Sequence, residues 1–209
     1  MIQIVIWWLV IQILGWTALP LAFRMLCWLP GRGYAFAKPL GLLLASYLLW
    51  LGASTGLLRN DLGGILASIL LVAGLSGWVY FRAQDRDGVP LRQALPAFLR
   101  QRRNLVITVE VLFTLAFLAW ALLRAYAPQK IMEAGGEKFM EIAFLNGILN
   151  SPRFPPLDPW LSGFSISYYY FGYVMMAFMT RLSGAAPGVA FDLYDALLFA
   201  EHPIEIFAL

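Results

Sequence analysis

LVITVEVLFTLAFLAWALL, residues 105–123, carries one carboxylate, Glu110, in an otherwise uncharged apolar run. A hydrocarbon core of roughly 30 Å takes about 20 such residues in helical form. Lipid offers no partner to unpaired backbone amides and carbonyls, so a run of this kind crosses as a helix. Working outward, residues 1–23, 40–58 and 62–81 hold no charge at all. A fifth uncharged window, 161–180, opens with Ser, Gly and Tyr, and its helical part is expected from about Tyr168. In a sixth, GVAFDLYDALLFAEHPIEIFAL (188–209), the residues Asp192, Asp195, Glu201 and Glu205 interrupt the pattern. Over the chain 61% of residues are hydrophobic and 13% charged, with mean hydropathy +0.72, far from a soluble composition. The expected fold is an all-α integral membrane bundle of five transmembrane helices, with a sixth as the marginal candidate, and an extracytoplasmic loop containing a short interfacial helix.

The first run lacks a basic n-region and a small-residue cleavage site before Arg24, so it reads as a retained helix. The lone Cys27 beside it has no intrachain partner for a disulfide.

Basic residues are retained on the cytoplasmic side of short loops. Arg24, Arg32 and Lys38 lie between the first two spans, and Arg82, Arg86, Arg92, Arg100, Arg102 and Arg103 between the third and fourth. Arg181 follows the fifth window and is assigned to the same face. The opposite face has Arg59, Arg124, Lys130, Lys138 and Arg153, mostly on one long segment that counts little. The N-terminus and residues 124–161 are therefore expected outside a plasma membrane. The net charge of +3 is a topology signal, and the loop arginines, without aromatic interleaving, give no reason to invoke nucleic acid. The partner is the lipid bilayer, with the basic 82–103 linker against its headgroups.

The tight RNDLGG turn (59–64) makes the second and third helices an antiparallel hairpin. Function is sought in the long outer segment, since loops on a rigid scaffold carry most chemistry. Gly135-Gly136 supplies a break, and residues 137–149 predict a short interfacial helix with Glu137 and Glu141 on one face, i and i+4. A carboxylate at a bilayer surface can take a proton from a hydroxyl or help hold a divalent metal ion beside a phosphate. The plainer alternatives are that Glu137 complements the helix N-terminus and Glu141 pairs with Lys138. In SPRFPPLDPWLSG (151–163) the prolines stiffen the path. There Arg153 has the chemistry to meet a phosphate, Asp158 to act as ligand or cap, and Trp160 to sit at headgroup depth. Tyr168, Tyr169 and Tyr170, read as consecutive helical positions, fan by 100° steps and cannot all face lipid. Tyr173 falls near the Tyr169 and Tyr170 face. They suit an aromatic lining for a sugar or lipid head, with the interfacial aromatic belt as the plainer account.

GGEKFMEIAFLNGILNSPRFPPLDPWLSGFSISYYYFGY (135–173) resembles the signature of a family of large multi-pass membrane proteins of Chloroflexi and archaea named for its Tyr-Tyr-Tyr motif, over about residues 104–200. That family is similar to the GT-C glycosyltransferases, which use polyprenyl-phosphate sugar donors outside the cytoplasm. The resemblance implies a core at 104–209 preceded by an added three-helix region with its basic linker at 1–103. It implies Glu137 as catalytic base or metal-site residue, Arg153 at the donor phosphate, and Asp158 within the PPL-x-x-W element. Where those enzymes carry Asp-Glu, this chain has Gly136-Glu137. A full core of that type has more spans, so a truncated product without activity of its own is the expectation. The competing reading, a transport or structural protein, rests on Glu110, which is expected to snorkel or to pair with Arg102 or Arg103.

Overall fold

The computed structural model describes residues 1–126 and 137–208, with side chains up to residue 202. The break expected at Gly135-Gly136, and Lys130, lie outside the described residues. Among the described residues there are eight helices and no strand. They are α1 (Ile2–Met25), α2 (Ala37–Thr55), α3 (Leu62–Arg82), α4 (Leu91–Gln101), α5 (Arg103–Tyr126), α6 (Lys138–Asn150), α7 (Phe171–Ser183) and α8 (Pro187–Ala208).

Four of these, α1, α2, α3 and α5, are long and apolar enough to cross a membrane. α1 and α2 pack closely where Gly41 meets the backbone of α1, and a Cβ at Gly41 would run into the Leu14 carbonyl oxygen. The hairpin expected at residues 59–64 is present. Asp61 Oδ1 accepts from Gly64 N at 3.0 Å and caps α3, satisfying a donor that a helix start leaves open.

α5 runs antiparallel to α1. Trp8 Nε1 donates to Thr114 Oγ1 at 3.1 Å and Gln12 Nε2 to Glu110 Oε2 at 2.9 Å, so the later α5 residue meets the earlier α1 residue. The end of α5, the start of α1 and the α2–α3 turn thus share one end of the bundle, here the Asn60 end. The opposite end, where Arg32 meets Asp85 and Asp87, is the Arg32 end.

Three expectations are corrected. Glu110 does not pair with Arg102 or Arg103: Lys38 Nζ lies 2.6 Å from its Oε1, and the Tyr34 hydroxyl donates to the same oxygen at 2.9 Å. Tyr34 comes from the α1–α2 connection and Lys38 from the first turn of α2, so a carboxylate inside a span finds a partner on a neighbouring helix before it must reach the interface.

The second concerns 161–180. α7 has only 13 residues, about 20 Å of helix, which is too short to cross. It bends by 115° into α8, so the fifth and sixth windows are two arms of one bent pair that together count as at most one further span, and the expected all-α membrane bundle has four spans, or five with this pair. α7 begins where Trp50 of α2 donates to the Tyr170 hydroxyl and finishes where Trp7 of α1 donates to Ser183 Oγ, each at 2.8 Å. It therefore lies over the Asn60 end, and α8 turns back along α5.

Third, Arg181 does not belong with the Arg32 end. Its guanidinium donates to the Leu149 carbonyl at the end of α6, because α7 never leaves the Asn60 end.

The basic linker also holds a helix of its own, α4. Leu91, Leu95 and Phe98 are buried at i, i+4 and i+7, one helical face, and α4 packs against α1, α3 and α5.

Candidate functional site

One buried side chain ties the segment 137–170 to the α2–α3 turn. Asn60 Nδ2 donates to the Ile148 carbonyl at 2.7 Å and to the Ser151 carbonyl at 2.8 Å, while its own backbone N–H donates to Pro152 O at 2.9 Å. A primary amide has two side-chain donors, and both are used here at the end of α6, one on the Ile148 carbonyl that also accepts the Ser151 N–H and one on the Ser151 carbonyl. Beyond it, Leu157 pairs with Ser165, and Ile166 N donates to Pro156 O at 2.9 Å, closing the proline-rich stretch into a narrow hairpin.

Within this frame the sequence-expected residues separate. Glu137 is exposed at the N-cap of α6 and makes no side-chain capping bond. Arg153 is exposed, with no carboxylate partner among the described residues. Asp158 turns its Oδ1 onto the backbone N–H groups of Trp160 and Leu161, at 2.8 and 2.9 Å, and so caps the turn of the hairpin. Trp160 is exposed and meets Phe144 edge to face.

The tyrosine triplet precedes the helix instead of starting it, which corrects the helical fan expected from the sequence. The strand-like pairing of 165–166 holds the chain extended, and α7 begins only at Phe171. The three rings nevertheless diverge. Tyr170 turns inward to Trp50 and stacks on Phe154. Tyr168 leans on Phe144. Tyr169 is 89% exposed. Together with Tyr47, Trp50 and Phe171 they wall an aromatic cleft of about 430 Å³.

A second cavity, of about 410 Å³, opens between α6, α7 and α8, and shares Tyr169 and Gly172 with the first. Two carboxylates, Glu141 and Asp195, line it with Tyr173 and Tyr194. The Tyr173 hydroxyl is close enough to Glu141 to feel its charge. Asp195 accepts from Trp120 Nε1 at 3.1 Å and lies 3.2 Å from Arg124 Nη2, and Arg124 also pairs with Asp192 at 3.1 Å. The α8 carboxylates that interrupt the sixth window thus answer a buried arginine at the end of α5.

Sequence reasoning passed over Asp195, Tyr194 and Asn60. A usable signal was present for the first: an arginine closing one apolar run and carboxylates i and i+3 in another must find each other or water. Asn60 gave none, since a turn asparagine is ordinary. Among the described residues no three His, Cys, Asp or Glu side chains gather as a metal-ligand set. Glu137, the carboxylate expected at a metal, belongs to no such set among those residues.

No curated protein and no solved structure matches the chain. The model of a family described as uncharacterized membrane protein (DUF2298) matches residues 44–209, from within α2 to the end of α8 and across both cavities. The chain belongs to that membrane protein family.

Proposed function

We infer that the Asn60 end is a sugar-transfer site of the lipid-linked type, in which a glycosyl group passes from a polyprenyl phosphate to an acceptor hydroxyl. The observation that carries this reading is the pair of connected cavities, one aromatic and one lined by carboxylates. Aromatic faces suit the apolar face of a sugar ring or an isoprenoid chain, and a carboxylate beside them suits a hydroxyl.

Within the second cavity the two carboxylates have different prospects. Asp195 is engaged by Trp120 and Arg124, which hold it oriented. Glu141 lines the cavity beside Tyr173; Glu137, favoured by the resemblance, does not line it. Glu141 is therefore the better base. It would take the acceptor hydroxyl proton as that oxygen bonds the anomeric carbon and polyprenyl phosphate departs with the electron pair of the broken bond. The exposed Arg153 is the candidate for the leaving phosphate.

The test titrates purified full chain with a radiolabelled polyprenyl-phosphate sugar, following tryptophan fluorescence for binding and release of label for transfer or hydrolysis. Binding to wild type and to Glu141→Gln alike, with whatever turnover occurs confined to wild type, is the expected result. Absence of binding by every polyprenyl-phosphate sugar tried overturns the reading. Turnover unchanged in Glu141→Gln but lost in Glu137→Gln returns the base to Glu137.

A transport or structural role is the second reading, and the Gln12, Tyr34, Lys38 and Glu110 cluster is what favours it. Its cavity is only about 10 Å³, room for about one water, and its charges are matched within the cluster. That is better suited to tying helices together than to passing a solute.

A further inference from the structure

We propose that the 82–103 segment at the Arg32 end is a binding surface for anionic phospholipid headgroups, built on α4 and selective for them over zwitterionic lipid. This stands apart from the sugar-transfer reading, which concerns the other end of the bundle.

Three observations carry it. The first is charge without internal compensation. Arg82, Arg86, Arg92, Arg100, Arg102 and Arg103 are all exposed, and no ion pair among the described residues engages any of them. The segment's own carboxylates, Asp85 and Asp87, are both taken by Arg32, at 3.0 and 3.1 Å.

The second is how α4 is held. Its apolar side, Leu91, Leu95 and Phe98, is buried against the bundle, and Phe98 meets Phe23 of α1 edge to face. Arg92 and Arg100 lie one to two helical quadrants away from that side. The helix cannot also sink its apolar face into lipid, so its outward attraction is electrostatic.

The third is depth. Trp28, Trp78 and Phe81 are exposed at this same end, and tryptophan concentrates at headgroup level. The arginines therefore stand where phosphates stand. The Asn60 end is more closely balanced: Arg59 faces Asp61 and Arg124 faces Asp192 and Asp195, which leaves Arg153 as its exposed arginine without an ion pair among the described residues.

Each basic residue near an anionic surface tightens attraction about fivefold. The full chain in neutral detergent is titrated with phosphatidylglycerol and, separately, with phosphatidylcholine, and bound lipid is counted by native mass spectrometry. Phosphatidylglycerol should bind with clear preference, and the preference should shrink as salt rises from ~0.01 to ~0.15 M, as the screening length shortens from ~30 to ~8 Å. Arg92→Gln should weaken it about fivefold, and the combined R92Q/R100Q/R103Q change about a hundredfold. Arg59→Gln at the far end should leave it unchanged. Equal binding of the two lipids by wild type, or preference that survives the triple change, overturns the proposal. Should the triple variant fail to fold, the wild-type preference, its salt dependence and the Arg92→Gln comparison still decide.

Discussion

Lys38 Nζ lies 2.6 Å from Glu110 Oε1 inside the bundle, with the lysine side chain only 7% exposed. The Tyr34 hydroxyl and the Gln12 amide complete the carboxylate's partners, and the ammonium rests 4.9 Å above the Phe113 ring. Burial and the neighbouring Glu110 raise the pKa of Tyr34 well above its ordinary value, so that hydroxyl stays a donor. Removing one member strands the other. Glu110→Gln should cost about 3–5 kcal/mol, whereas Lys38→Met with Glu110→Leu should recover most of the loss. Denaturant unfolding of the purified protein measures both, and a double variant as unstable as the single one would refute the pairing argument.

The α1–α2 contact depends on the missing Cβ of Gly41, whose place is taken by the Leu14 carbonyl. Gly41→Ala must push two spans apart along their length. Overpacking of this kind costs about 1–3 kcal/mol. Gly74→Ala, at a position with open space around it, is the matched control. If the two lower the melting temperature equally, the close approach is not what holds α1 to α2.

Much of this architecture is legible in the sequence, and the boundary is physical. The four spans announce themselves because lipid demands unbroken apolar runs, and α6 because its helix formers stop at a proline cluster. Hydropathy also marked 161–180, yet it cannot distinguish a helix that crosses from one that lies over the bundle's end. That distinction rests on Trp50 and Trp7, far away in the chain, and on the bend at Gly184. Likewise Lys38 reads as a loop cation until α2 is seen to begin at Ala37. Gln12 offered a hint, because a polar side chain in mid-span usually bonds across helices. At the site, the tyrosines and Asp158 drew attention by type, while Asn60 and Asp195 matter through partners that only the packed chain supplies.

Asn60 is the clasp between the α2–α3 turn and the candidate site. Asn60→Ala leaves the Ile148 and Ser151 carbonyls without those donors in a buried setting. The Ile148 carbonyl keeps the Ser151 N–H, so the cost is that of one unsatisfied group, about 1–3 kcal/mol. Hydrogen exchange should accelerate in 138–152 more than in α1 or α3. Uniform acceleration over the whole chain would mean that Asn60 supports global stability and not this segment.

Asp85 makes the stability of the Arg32 end sensitive to acid. Burial opposes its ionisation, but Arg32 and the Val89 and Asp87 amides outweigh that and hold the carboxyl below its ordinary range. A lowered folded-state pKa gives stability that is fully present above the unfolded value, near 3.9, and lost as pH falls through the folded one. Wild type should therefore exceed Asp85→Asn in melting temperature at neutral pH, with the gap closing below about pH 4. A gap that persists unchanged to pH 3 or so would separate Asp85 from the acid response.

The two ends should also differ in which compartment they face. By the retention of basic loops the exposed arginines of 82–103 should face the cytoplasm, and the cavities of the Asn60 end should then face outside. Ser162 and Arg86, both exposed and at opposite ends, are suited to single-cysteine replacement in a Cys27→Ser background. A membrane-impermeant maleimide applied to intact cells should label Ser162→Cys at once and Arg86→Cys only after lysis. The reverse pattern would place the acidic cavity in the cytoplasm, where a donor carried on the outer leaflet cannot reach it, and the sugar-transfer reading would fall while the anionic-lipid surface kept its own test.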